Sequence, residues 1–278
     1  METRGEHHRG EGRSEMGRMT RIVAVTALAV LALRGGAAAA VKGESVEYRH
    51  GETVCQGYLA YDDAVPGKRP GVLVVHDWMG VSDTTREVAD RLASLGYVAL
   101  AADIYGKGIR PRDRDEAAAT AGGWRKDRPA LRARARAGLD FLAGHALVDP
   151  GRLAATGYCF GGGTVLELAR SGAPVAGVVS FHGNLDTPVP ADAAAIRGKV
   201  LVLHGADDPG VPPDQVSAFI GEMRAARVDW YLTMYGNAVH SFTNKRAGSD
   251  NSKGNAYNEK ADLRSWEAMR DFLAEVFR

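Results

Sequence analysis

The chain has 278 residues, 45% hydrophobic and 25% charged, which is enough for one full-sized core. A formal net charge of +1 argues against a nucleic acid or anionic membrane partner selected by bulk electrostatics. Two cysteines, Cys55 and Cys159, exclude a disulfide framework and a four-thiolate zinc site.

Met1 to Arg18 is polar and is followed by Arg21, an apolar run from Ile22 to Leu33, and Ala37 to Ala40. A basic flank, a short apolar run and small residues form the layout of a secretory signal peptide, with cleavage near Ala40. Residues 1–40 therefore read as a leader region and residues 41–278 as one domain, exported to a periplasm or secreted. Met16 and Met19 offer shorter starts, and an Ala-rich helix of the folded domain is the competing reading. The apolar run is shorter than the roughly 20 residues a bilayer-spanning helix needs.

From Tyr48 to Tyr61, with a turn at His50-Gly51, the pattern predicts a strand pair. Gly71 to His76 is a short apolar run of the kind buried on both faces of a sheet. Val88, Leu92 and Leu95 predict a helix over Thr84–Leu95, capped at Ser82 or Asp83 and stopped by Gly96. Tyr97–Ala102 is the next strand, and Leu131, Ala135, Gly138, Leu139 and Leu142 give Arg128–Leu142 a helical face. Strands follow at Arg152–Thr156, Val175–Ser180, Lys199–His204 and Val228–Tyr235, with helices starting near Phe160 and Pro213. A last helix runs from about Asn258 to Phe277. Alternation of strands and helices predicts an α/β fold with a mainly parallel central sheet and helices on both faces. Ligands in such folds bind beyond the carboxyl ends of the strands.

Candidate chemistry falls at those ends. Gly157-Tyr158-Cys159-Phe160-Gly161 lies between a strand and a helix and has the form of a nucleophile elbow, with Cys159 in the middle. The turn strains the central residue, demands small neighbours two positions away, and aims the sulfur along a helix N-terminus, where the dipole favours thiolate. The N–H of Phe160 is one natural oxyanion donor. Two other readings are a buried inert cysteine and a phosphate loop, G-x-x-x-x-G-x-T over Gly157–Thr164. The second lacks the lysine, with Gly163 in its place. Asp208, in Gly205-Ala206-Asp207-Asp208 after a buried strand, is the candidate acid; Asp207 and Asp214 suit a helix cap better. His240 follows the final strand. His76, His182 and His204 also sit at strand ends, but they precede the acid, whereas this fold orders nucleophile, acid, histidine. Cys55 reads as a small packing residue.

From Glu44 to Arg278 the chain resembles the dienelactone hydrolase family of α/β-hydrolases. The likeness rests on Gly157–Gly162, Gly205-Ala206 with Asp208 and Val211, His240-Ser241-Phe242, Val75–Val81 and Ala102–Gly106. It implies an α/β-hydrolase fold, a catalytic Cys159, Asp208 and His240, and a second oxyanion donor at the N–H of Trp78. It also implies an acid beside the thiol. The matching residue is Asp77, shorter than the usual Glu by one methylene, and a plain capping role is its other reading. The best-known members hold a substrate carboxylate with arginines, one of them four residues after the catalytic histidine. Asn244 stands there, and Ala117 lies near the place of the other. Lys245 and Arg246 are close by. Arg110, Arg112, Arg114 and Arg125, interleaved with acids, read as a solvated face. Neutral esters are then expected to be hydrolysed at least as well as acidic ones.

The activity so implied is hydrolysis of a small-molecule ester or lactone through a thioester on Cys159, with no metal or organic cofactor required. A non-catalytic binding protein of the same fold is the alternative. A redox or metal-binding role for Cys55 and Cys159 is the third reading, though they lack C-x-x-C spacing and no histidine pair has metal-ligand spacing.

Overall fold

Residues 41–278 are described by a computed structural model; the expected leader lies outside them. The strands are β1 (Val41–His50), β2 (Thr53–Asp62), β3 (Arg69–Val75), β4 (Val98–Ala102), β5 (Val148–Tyr158), β6 (Gly177–Phe181), β7 (Lys199–Gly205) and β8 (Trp230–Tyr235). The α-helices are α1 (Asp83–Ser94), α2 (Arg114–Lys126), α3 (Arg128–Ala143), α4 (Phe160–Arg170), α5 (Pro213–Ala226) and α6 (Glu259–Val276). The strands make one eight-stranded sheet in the order β1-β2-β4-β3-β5-β6-β7-β8. β2 is antiparallel to both its neighbours, and the remaining pairs are parallel.

Strand side chains point to alternate faces. In β3, Val72 and Val74 join one core with Val88 and Leu92 of α1 and Met269, Phe272 and Leu273 of α6. Leu73 and Val75 join the opposite core with Leu131 and Leu139 of α3, Val165 and Leu168 of α4 and Phe219 of α5. A strand covered on both sides is apolar at every position, which is why the run from Gly71 showed no alternation. This is the α/β-hydrolase arrangement expected from the sequence.

The path of the chain fixes where a ligand can sit. From β3 the chain passes through α1 to β4 on one side, then returns through α2 and α3 to β5 on the other side of β3. Between the carboxyl ends of β3 and β5 successive connections diverge, and that divergence opens a crevice.

Several elements differ from expectation. Strand β1 begins at Val41, well before Tyr48, and pairs along its whole length with β2. Strand β5 begins at Val148 and crosses an irregularity opposite Pro70/Gly71. Helix α2 was not expected at all. Its buried residues are Ala117 and Ala121, too small to stand out as an apolar stripe, and Gly122 and Gly123 interrupt it. Its start is conventional, with the Asp113 side chain accepting a hydrogen bond from the Glu116 N–H.

Helix α4 is anchored at its far end by buried charge. Arg170, 1% exposed, binds Glu222 (Nε–Oε1 2.7 Å) and Glu167 (Nη1–Oε1 3.0 Å), and Arg132 also reaches Glu167 at 2.7 Å. Removing one partner of such a network leaves uncompensated charge in the interior. Arg170→Met is expected to lower the unfolding free energy in urea by about 3–5 kcal/mol. A loss under about 1 kcal/mol would show that water reaches these carboxylates.

Candidate active site

Cys159 links β5 to α4 with φ 55° and ψ −114°, a left-handed conformation that costs a non-glycine residue about 1–3 kcal/mol. Close backbone contacts hold it there. A Cβ on Gly157 would lie 2.1 Å from the Gly161 carbonyl oxygen, and one on Gly161 would lie 2.2 Å from that of Val75. No side chain fits at either position. The thiol is thereby raised over the crevice at the N-terminus of α4, with 9% of the residue exposed.

Asp208 comes to it from the loop after β7 and His240 from the loop after β8. His240 Nε2 lies 3.1 Å from Cys159 Sγ, and Nδ1 lies 2.8 Å from Asp208 Oδ2. The other Asp208 oxygen accepts from the Gly210 N–H at 2.8 Å, which fixes the carboxylate plane. The main chain of His240 is held by Ala256, whose N–H donates to the His240 carbonyl at 3.1 Å. Burial alone would push the His240 pKa down. The hydrogen bonds and charges of Asp208 and Cys159 outweigh it and raise the pKa to about 10.

Among the described residues, none of the competing histidines is hydrogen-bonded to an acid. His76, 1% exposed, donates through Nδ1 to the Asp77 carbonyl at 2.6 Å and accepts the Ile104 N–H through Nε2 at 3.2 Å. Burial lowers its pKa to about 4. His182 lies with Nε2 2.9 Å from Thr243 Oγ1, and burial also lowers its pKa. His204 is buried and lowered for the same reason.

Phe160 is the first residue of α4, and Trp78 follows β3. Among the described residues neither N–H has an acceptor, so both are free for a ligand atom. Asp77, the residue before Trp78, lines the crevice. Its Oδ1 accepts the Met79 N–H at 2.8 Å, a local capping contact, and it makes no hydrogen bond to Cys159. Burial raises its pKa. Cys55 is fully buried beside Arg134 (Sγ–Nη1 3.5 Å), and both cysteines are free thiols.

The crevice opens into a cavity of about 1070 Å³ lined by Cys159, His240, Asp77 and Trp78. Arg114 is exposed, in keeping with a solvated face, and Arg125 is half-buried. Arg110, Arg112, Arg128, Arg132 and Arg136 each pair with a carboxylate, and Arg134 donates to the Ile104 carbonyl. Arg114 and Arg125 have no such partner among the described residues, and both line the cavity. The Arg114 guanidinium lies 5.7 Å from the Trp78 ring centre, and that of Arg125 lies 5.9 Å from the Phe160 ring centre. The missing signal was helix α2 itself, since without it the facing of these arginines could not be read. Asn244 caps its own loop through the Arg246 N–H at 2.9 Å, and the Arg246 side chain is taken by Thr84 and Glu87. Among the described residues no three His, Cys, Asp or Glu side chains are grouped to hold a metal ion.

The sheet order and the elbow at a parallel strand end make this chain an α/β-hydrolase. It belongs to the dienelactone hydrolase family, whose profile matches residues 55–277, and it is accordingly a hydrolase. It is 48% identical to the solved structure named m3DLH, covering 86% of this chain and all of that one, with a TM-score of 0.83. A dienelactone hydrolase-like promiscuous phosphotriesterase from metagenomic libraries is 44% identical over the same shares, with a TM-score of 0.82. A Salmonella typhimurium (strain LT2) protein provisionally named a carboxymethylenebutenolidase is 29% identical over 78% of this chain and 82% of its own.

The elevated pKa of His240 is directly measurable. In wild type, the imidazole nitrogens should remain those of an imidazolium until the pH approaches about 10. Cys159→Ala removes two of the raising influences, so the midpoint should fall, and Asp208→Asn should lower it as well. Imidazole 15N shifts followed against pH give the answer, and an unchanged midpoint in both variants would contradict the assigned cause.

Proposed function

We propose that this hydrolase cleaves carboxylic esters or lactones by thiol catalysis, with Cys159 as nucleophile, His240 as proton carrier and Asp208 as its orienting acid. The observation that carries the reading is the continuous contact Asp208–His240–Cys159 at 2.8 and 3.1 Å, beneath two unpaired backbone N–H groups. Those lengths are within the reach expected of a nucleophile and its base.

In the proposed cycle the Cys159 sulfur attacks the carbonyl carbon, and the carbonyl π pair moves onto oxygen. That oxyanion accepts hydrogen bonds from the Phe160 and Trp78 N–H groups, each worth about 2.7–4 kcal/mol in comparable sites. Collapse re-forms the carbonyl and expels the alkoxide, which takes the proton from the His240 imidazolium. A thioester and a neutral imidazole remain. With the thiolate consumed, His240 loses one source of its high pKa and can act as a base. It takes a proton from water, hydroxide attacks the thioester, and the acid leaves as the thiol is regenerated. For a lactone, alcohol and acid remain one molecule.

Two cavity-lining cations beside the oxyanion donors bear on the substrate. Arg114 and Arg125 flank the residues that carry the oxyanion donors, so we read the acyl portion as carrying an anionic group. This reading runs against the preference for neutral esters expected from Asn244 alone. The relative at 44% identity is a promiscuous phosphotriesterase, which makes an aryl phosphotriester a sensible further substrate to assay.

Cys159→Ala is expected to reduce ester hydrolysis by roughly 10⁴-fold or more, as removal of a nucleophile does elsewhere. Cys55→Ala should remain near wild type. Mass spectrometry of rapidly quenched enzyme should find the acyl group on Cys159, and full activity in Cys159→Ala would end the thiol mechanism. The charge reading has its own test. A charged hydrogen bond is worth about 1.5–3 kcal/mol, and partial exposure places these arginines toward the lower bound. Arg125→Met should therefore reduce the kcat/KM ratio of an acidic lactone to its methyl ester roughly tenfold. An unchanged ratio in Arg125→Met and Arg114→Met together would return the substrate preference to neutral esters.

A further inference from the structure

His76 lies outside the Asp208–His240–Cys159 chain, is almost completely buried and has both ring nitrogens committed. We propose that His76 is a positioning residue that sets the direction of the Trp78 N–H, and so builds half of the oxyanion hole. This inference rests on the reading of that N–H as an oxyanion donor.

The Ile104 N–H donates to His76 Nε2 at 3.2 Å, so Nε2 carries the lone pair. In the neutral ring the proton is then on Nδ1, and it is given to the Asp77 carbonyl oxygen at 2.6 Å. That carbonyl belongs to the same planar peptide unit as the Trp78 N–H. In a trans peptide the two groups point in opposite directions. Holding the oxygen of the unit toward His76 therefore turns the N–H away from it.

Neighbouring contacts close the other options. The Tyr105 hydroxyl donates to the Trp78 carbonyl at 3.0 Å, which fixes the following peptide unit. The Met79 N–H is taken by Asp77 Oδ1. Of the amides from Trp78 to Gly80, the one at Gly80 is bound to the Asp77 carbonyl at 3.3 Å, and Trp78 alone is left without an acceptor.

His76 also packs beside the residue that carries the other donor. Its ring stacks on Phe160 at 5.8 Å between centres, with an interplanar angle of 20°. Its carbonyl oxygen would lie 2.6 Å from a Cβ on Gly161. One residue thus sets the spacing of two donors from different strand ends. The test of an oxyanion hole is geometric, since its donors must lie about 2.7–3.1 Å from where the oxyanion forms.

Asn and Gln separate this role from simple packing. Asn can place its amide N–H where Nδ1 stands, facing the Asp77 carbonyl. Gln reaches the Nε2 position, where it can satisfy the Ile104 N–H but cannot hold the Asp77 carbonyl. The full chain is assayed with p-nitrophenyl acetate, and Cys159 is titrated separately with iodoacetamide, whose attack needs no oxyanion hole. His76→Asn should keep kcat within about tenfold of wild type, while His76→Gln should lose about 10²–10³-fold with little change in KM. Both should alkylate at the wild-type rate. The proposal is overturned if His76→Gln turns over like wild type, if Asn is as poor as Gln, or if alkylation slows in parallel with turnover. A measurement on wild type covers the case of a variant that does not fold. Imidazole 15N spectra should show His76 as the Nδ1–H tautomer, and finding the Nε2–H tautomer would overturn the proposal. Full activity in Cys159→Ala would instead mark failure of the thiol mechanism, a separate result.

Discussion

The approach of the α4 backbone to the end of β3 is the constraint on which the site depends. Gly161 sits so close to the Val75 and His76 carbonyls that a single added carbon would overlap both. That contact fixes the start of α4 relative to the loop after β3. Because Cys159 and Phe160 precede Gly161 directly, they are located against His76, Asp77 and Trp78 by the same contact. A strained φ at Cys159 is tolerable only in a setting so over-determined. The ionic anchor of Arg170 at the other end of α4 keeps the helix from rotating out of register.

Most of this framework was legible because it is periodic or punctuated. Two-sided burial of β3, the glycines spaced around Cys159, and the order Cys159, Asp208, His240 each follow from a local rule of chain geometry. The structure brings the three residues together at hydrogen-bond distances. What could not be read depends on tertiary facing. Helix α2 hides its core contact in two alanines, so its charges looked like solvated surface. Only when its neighbours are paired off one by one do Arg114 and Arg125 emerge as the arginines of this segment that line the cavity without a carboxylate partner among the described residues. His76 was legible as a structural histidine, but its effect on Trp78 passes through a peptide plane that no sequence pattern encodes.

Asp77 illustrates a different limit. The resemblance placed an acid beside the thiol, and the structure keeps an acid in the crevice. Its shorter side chain closes on the Met79 N–H instead of extending toward sulfur. One methylene changes which partner is nearest, and burial rather than the thiol governs its proton. In the proposed cycle, then, the burden of forming the thiolate falls on His240.

The distribution of protons over the four strand-end histidines supports that division. His76, His182 and His204 are all 1–2% exposed, and burial drives each toward the neutral form. A neutral imidazole can accept on one nitrogen and donate on the other, which is what His76 does between Ile104 and Asp77. His240 experiences the same desolvation, yet Asp208 and Cys159 reverse its sign. The reversal requires a carboxylate and a sulfur at the two ends of one ring, and only the loop after β8 offers both. The neutrality of His182, whose ring centre is 5.2 Å from that of His240, matters here as well. A second imidazolium at that distance would oppose the first by like-charge repulsion. Burial of the neighbours therefore leaves His240, of the four, as the imidazole whose surroundings favour the charged form, which is what the proposed cycle asks of it.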